Sequence, residues 1–286
     1  MKWLVGAGLA AAAAAAWRLA EGALHVRPER RLQVPASAAE VSIRSSDGLQ
    51  LRAWYFAGDR VICLLHGFTD SRSDMLDHIR LFRELGWGVL APDSRGHGMS
   101  EGNLVSFGTQ EAEDALRWCQ WLSQRGVREV AVFGQSMGAA VALLSAARGA
   151  PWSKVVAEAG FTRFSQVAAE KIAARAGLPP RWGAWLMTPL AHLGMLYAWA
   201  RYRINLWRSA PAAVVPRLTI PLLLIHGAHD DSIGVWHSRR LAKLSAHAQY
   251  WEIPGAGHTN AIVVAGAEYR QRLAAFLTAP TATGRV

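Results

Sequence analysis

At 286 residues, with 51% hydrophobic and 18% charged positions, the chain is long enough to bury a sizeable core and too apolar to be disordered or fibrous. Two cysteines, Cys63 and Cys119, exclude a disulfide framework and a thiolate zinc site, and both sit in apolar runs as small hydrophobes. The net charge of +10 suits an anionic partner such as a membrane surface, but no zinc-finger spacing, RNP-like motif or lysine-rich tail supports nucleic-acid binding.

The N-terminus carries an uncharged, alanine-rich stretch from Trp3 to Trp17, bounded by Lys2 and Arg18. A helix over that stretch spans about 22 Å, short of a ~30 Å hydrocarbon core. Residues 1–26 are expected to be a hydrophobic anchor or a signal segment, with a soluble helix as the third reading. The anchor is favoured and implies a single pass in a bacterial inner membrane; a secreted or periplasmic protein is the alternative. Arg18, Arg27, Arg30 and Arg31 argue for a cytoplasmic catalytic domain behind that anchor.

Residues 27–40 read as a linker punctuated by Arg27-Pro28 and Val34-Pro35. Runs 41–44 and 49–56 flank Ser46-Asp47-Gly48, a hairpin signal. Residues 61–65 form a continuous apolar run ending in His66-Gly67. A helical pattern over 71–85 stops at Gly86, and 88–91 is a short apolar run before Pro92-Asp93. Thr109 is placed to cap a helix to Gln124, with Glu111, Glu113 and Asp114 near its positive end. Further buried runs are expected at 130–133, 155–157, 222–225 and 249–253, with a helix over 137–147. Continuous apolar runs alternating with helices indicate an α/β protein with a mostly parallel sheet covered on both faces.

Between Ala157 and Pro221 that alternation breaks. Two helices are expected, over 164–177 and 183–201, with Pro189 kinking or splitting the second. Residues 163–217 read as an inserted helical cap with Trp182, Trp185, Trp199 and Trp207, and eight basic residues against Glu170. The tryptophans are expected to pack the cap onto the sheet, or to line a pocket for an acyl chain and meet an anionic lipid surface.

Gly134-Gln135-Ser136-Met137-Gly138 fits G-x-S-x-G, with a strand pattern before it and a helix pattern after it. The glycines permit a tight turn that presents Ser136 in a strained conformation at a strand end. A serine hydroxyl needs a base, and the base an orienting acid. His258 ends the glycine-rich loop Pro254-Gly255-Ala256-Gly257 after the last strand, and Asp230 lies just past the penultimate one. The order Ser136, Asp230, His258 suits this topology, and all three come after carboxyl ends of strands. Asp231 is a rival acid. His66, His97, His226 and His229 read as loop histidines, and Asp93 as a loop-stabilising acceptor. The remaining histidines show no paired ligand spacing, so no metal site is proposed.

With His66-Gly67-Phe68, Asp93-Ser94-Arg95-Gly96-His97-Gly98-Met99-Ser100, Gly134–Gly138, His226–Asp230 and Gly255–His258 in this order, residues 41–278 resemble the α/β-hydrolase superfamily. Within it the chain looks like bacterial serine hydrolases of the serine aminopeptidase-like and Bem46-like groups. The resemblance implies the α/β-hydrolase fold: a mostly parallel eight-stranded sheet, helices on both faces, and a helical cap insertion at about 163–217, with 279–286 as a tail. It favours Asp230 over Asp231 and assigns the oxyanion hole to the backbone amides of Phe68 and Met137. The implied reaction is cleavage of a small acyl ester through an acyl-enzyme, without a cofactor. A peptidase or thioesterase with the same triad, or a non-catalytic membrane-associated binding module, are the alternatives.

Overall fold

A computed structural model describes residues 2–26, 34–35 and 37–280. In it, β3 (Arg60–Leu65) shows why the apolar runs are continuous. Val61, Cys63 and Leu65 join a core layer with Trp118, Leu122 and Leu143, while Ile62 and Leu64 join another with Ile79, Phe82 and Phe276. Successive side chains point to opposite faces of a strand, so a sheet covered twice needs apolar residues at every position.

The strands are β1 (Ala39–Arg44), β2 (Gln50–Phe56), β3, β4 (Gly88–Pro92), β5 (Glu129–Gln135), β6 (Val155–Glu158), β7 (Leu222–Gly227) and β8 (Ala248–Ile253). They form one eight-stranded sheet in the order β1-β2-β4-β3-β5-β6-β7-β8. β1 and β2 pair antiparallel, β2 meets β4 antiparallel, and every later pairing is parallel. One layer beside the sheet holds α3 (Glu111–Ser123), α4 (Met137–Ala147) and α8 (Trp236–Leu244). The other holds α2 (Leu76–Glu84) and α9 (Ala261–Thr278). The α/β-hydrolase architecture expected from the motifs is the one observed.

Several local expectations change. The linker ends earlier than residue 40, because Ala39 and Glu40 already pair with Tyr55 and Trp54; residues 27–33 and 36 lie outside the described residues, as does 281–286 of the tail. Thr109 does not cap α3. The Ser106 hydroxyl accepts from the Gln110 amide at 2.7 Å, and the Glu111 carboxylate takes the Ser106 and Gly108 amides at 2.7 Å.

The insertion between β6 and β7 contains α5 (Phe164–Arg175) and α6 (Pro180–Tyr202), and its last part, α7 (Pro211–Val214) with Val215, returns to the main core. Pro189 does not split α6, which is one continuous helix. A proline removes the hydrogen bond to the carbonyl four residues earlier, here that of Trp185, whose residue is 79% exposed and can give that carbonyl to water. The four cap tryptophans are all at least 41% exposed, so packing the cap onto the sheet is not their role.

The N-terminal segment is the largest departure. α1 (Lys2–Leu24) is a single helix, but no helix among the described residues is long and apolar enough to cross a membrane. From Ala16 onward it belongs to the hydrolase domain: Ala16, Ala20 and Leu24 are buried. Leu24 and Val26 share a third apolar cluster with Phe107, Met137, Phe164 and Met195. The spanning anchor expected over 1–26 is thus not supported, and the second half of α1 is a packed part of the fold.

Candidate active site

The turn between β5 and α4 is shaped by what its glycines exclude. A Cβ on Gly134 would collide with the Gly138 carbonyl, and one on Gly138 with the Leu65 carbonyl of the neighbouring strand. Between them Ser136 sits at φ 56°, ψ −113°, a region costly for any side-chain-bearing residue, and its amide is held by the Glu158 carbonyl at 2.8 Å. The strain projects the hydroxyl out of the sheet.

That hydroxyl meets His258. Ser136 Oγ lies 3.0 Å from Nε2, and Nδ1 lies 2.7 Å from Asp230 Oδ2. Asp230 is completed by two amides: those of Ser232 and Ile233 donate to Oδ1 at 2.9 and 2.8 Å. Burial alone would raise the pKa of this carboxyl. Hydrogen bonds from His226 and His258, with the Ile233 amide, outweigh it and hold the group well below the usual carboxylate range. Asp231, the rival acid, is an exposed neighbour.

The amides of Phe68 and Met137 donate to no protein partner among the described residues. Met137 opens α4, where a helix leaves its first N–H groups unpaired. Both residues line, with Ser136 and His258, a cavity of about 530 Å³. The loop carrying Phe68 is braced from behind. The buried His66 donates from Nδ1 to the Gly67 carbonyl at 2.7 Å and accepts the Ser94 amide on Nε2 at 2.9 Å. Burial lowers the His66 pKa to about 4, which keeps one nitrogen free to accept. His97 is likewise pushed down to about 4 by burial and accepts the Thr69 amide at 3.3 Å. Asp93 accepts the Arg72 and Met99 amides at 2.9 and 2.8 Å, as a loop stabiliser should.

Three contributions were not legible in the sequence. His226 is buried at the end of β7, with Nε2 3.2 Å from Asp230 Oδ2 and 2.8 Å from the Ile233 carbonyl, so it positions the acid. Gln135 ties the serine turn to the histidine loop, donating to the Thr259 carbonyl at 3.2 Å and to Glu158 at 2.8 Å. The cavity wall is the third. Leu19, Ala20, Ala23 and Leu24 of α1 line the cavity together with Leu190 and Met195 of α6, and none of the cap tryptophans does. The spacing of Ala16, Ala20 and Leu24, four residues apart, is the one signal that could have announced a packed face on α1.

A strained serine at a strand–helix turn, an imidazole within hydrogen-bond reach, a buried carboxylate behind it and two free amides are the groups a nucleophilic serine site requires. The description "Alpha/beta hydrolase family" matches residues 61–275, and the chain belongs to that family. Among its relatives is the uncharacterized protein YqkD of Bacillus subtilis, 32% identical over 210 residues, which cover 70% of this chain and 65% of YqkD. The chain thus spans just under two thirds of that relative's length. The uncharacterized protein Rv2307c of Mycobacterium tuberculosis is 26% identical over 86% of this chain and 81% of its own. Among solved structures, the esterase Pf2001 of Pyrococcus furiosus superposes with a TM-score of 0.69 at 25% identity, covering 88% of this chain and 97% of the esterase.

Proposed function

We propose that the protein hydrolyses carboxylic esters of small acyl substrates through an acyl-enzyme, with Ser136 as nucleophile, His258 as general base and acid, and Asp230 as its orienting acid. The continuous relay from Ser136 Oγ through His258 to the buried Asp230 carries this reading. The apolar wall of the cavity and the similarity to the Pf2001 esterase support an ester as the substrate.

His258 Nε2 takes the Ser136 proton as Oγ attacks the ester carbonyl carbon. The tetrahedral oxyanion accepts hydrogen bonds from the Phe68 and Met137 amides, which lie free on the same wall. Collapse expels the alcohol, which takes the proton from His258 and leaves the acyl group on Ser136. A water then gives its proton to His258, attacks the acyl carbon, and the acid departs as Ser136 regains its proton. Asp230 keeps Nδ1 protonated throughout and balances the imidazolium.

A membrane-proximal location belongs to the same reading. Trp17, Trp182, Trp185 and Trp199 are 45–79% exposed, and Arg203 lies 5.8 Å over the Trp199 ring. Tryptophan and arginine together suit the boundary between water and anionic lipid.

A panel of p-nitrophenyl esters of increasing chain length, run beside an acyl thioester and aminoacyl amides, tests the reaction. Ester turnover that Ser136→Ala abolishes is expected; amides or thioesters cleaved faster than every ester overturn the assignment.

A further inference from the structure

We infer that α1 sets the length of acyl chain the active site accepts, with Leu19 and Ala23 as specificity-determining residues; this rests on the esterase reading above. The two are one helical turn apart, partly exposed, and both on the wall of the cavity that Ser136 and His258 share. Leu190 and Met195 of α6 line the same cavity. With α5 supplying Val167, Ala168 and Ile172 to the remaining wall, the room left for a chain depends on where α1 is held.

Two fastenings hold α1 to α6, and a third ties the end of α1 to the loop at Leu104 and Val105. Ala16 and Ala20 pack beside Gly194 of α6, where a Cβ would lie 3.6 Å from the Ala16 carbonyl oxygen and 3.8 Å from the Ala20 Cβ. The Glu21 carboxylate takes hydroxyl hydrogen bonds from Tyr197 and Tyr202, both at 2.6 Å, and those bonds lower its pKa. The chain leaving α1 forms a bridge, His25 to Leu104, in which the Val105 amide donates to the Leu24 carbonyl at 2.9 Å. A helix that merely tethered the domain to a surface would need none of these contacts. Fastened this way, α1 is a rigid wall, and side-chain volume at 19 and 23 translates directly into space for substrate.

The test uses the full chain and measures kcat/KM for p-nitrophenyl acetate through decanoate. Ala23→Phe is expected to lower kcat/KM for octanoate and decanoate at least tenfold while leaving acetate within about twofold, with an unchanged melting midpoint. Leu19→Ala, which only removes volume, is expected to move the optimum toward longer chains. A uniform change across all esters, or an unchanged profile in Leu19→Ala, overturns the proposal. If the wild-type chain turns over no ester, the esterase reading fails by itself. The α1 proposal is then decided by calorimetry of laurate binding to Ser136→Ala, which Ala23→Phe should weaken at least tenfold and which, if indifferent to that change, removes α1 from the site.

Discussion

Replacing Asp230 by asparagine keeps the shape of the acid and removes its ability to accept on both sides. Oδ1 receives the Ser232 and Ile233 amides, and Oδ2 faces Nδ1 of His258 and Nε2 of His226. An asparagine has one acceptor oxygen and one amide group of two donors. With its oxygen toward the two backbone amides, the NH₂ faces His258 and forces Nδ1 to accept; Nε2 then carries the hydrogen and cannot take the Ser136 proton. With its oxygen toward His258, the NH₂ opposes two backbone donors in a buried site. The first arrangement satisfies more partners and is expected to win. A triad held in the wrong tautomer loses about 10⁴ in kcat, or about 5.5 kcal/mol of transition-state stabilisation. Stability should fall by about 1–3 kcal/mol, because a charged acceptor with three short hydrogen bonds is lost. Asp231→Asn, at an exposed neighbour, should change stability by less than about 0.5 kcal/mol and leave kcat nearly intact. Ester turnover of both variants and their urea midpoints decide the matter. Asp230→Asn retaining a tenth of wild-type kcat, or Asp231→Asn falling as far, would refute the reasoning.

Gly138→Ala should abolish turnover and cost well over the typical ~1 kcal/mol of a point substitution, since its Cβ meets the Leu65 carbonyl, a backbone atom that cannot step aside; a thermal melt beside the ester assay checks both. His78 is buried and its pKa is lowered to about 4 by that burial. Between that value and the ordinary ~6.5 the folded chain binds fewer protons than the unfolded one, so His78 makes stability rise with pH across this window and fall on acidification. Unfolding free energies from urea titrations at pH 4.5 and 6.5 should therefore differ less in His78→Phe than in the parent, by on the order of 2 kcal/mol; an equal difference refutes the assignment. Co-sedimentation with vesicles containing anionic lipid should weaken as salt rises and when Arg201, Arg203 and Arg208 are replaced by glutamine, with p-nitrophenyl acetate turnover unchanged. Binding that ignores both changes would leave the exposed tryptophans without a lipid role.

The sequence by itself determined the layered α/β architecture, because an apolar residue at every strand position is a local pattern that only a doubly covered sheet satisfies. It also singled out Ser136, Asp230 and His258 as candidates, since the turn chemistry of G-x-S-x-G and the order of the loops are written in consecutive residues. Tertiary structure decided everything that depends on which faces meet. Asp230 and Asp231 are adjacent and chemically equal; only the turn after β7 aims one at His258 and leaves the other in solvent. His226 and Gln135 support the site through partners distant in sequence or hidden in a turn. Trp182, Trp185 and Trp199, apolar by composition, stay exposed because α6 gives its other face to α1 and α5. Most telling is α1: alanine-rich and uncharged at its start, it reads locally as a membrane segment. The burial of its second half was decided by Tyr197, Tyr202 and Gly194, some 180 residues further on, because a helix records its own periodicity but not the surface that will bury it.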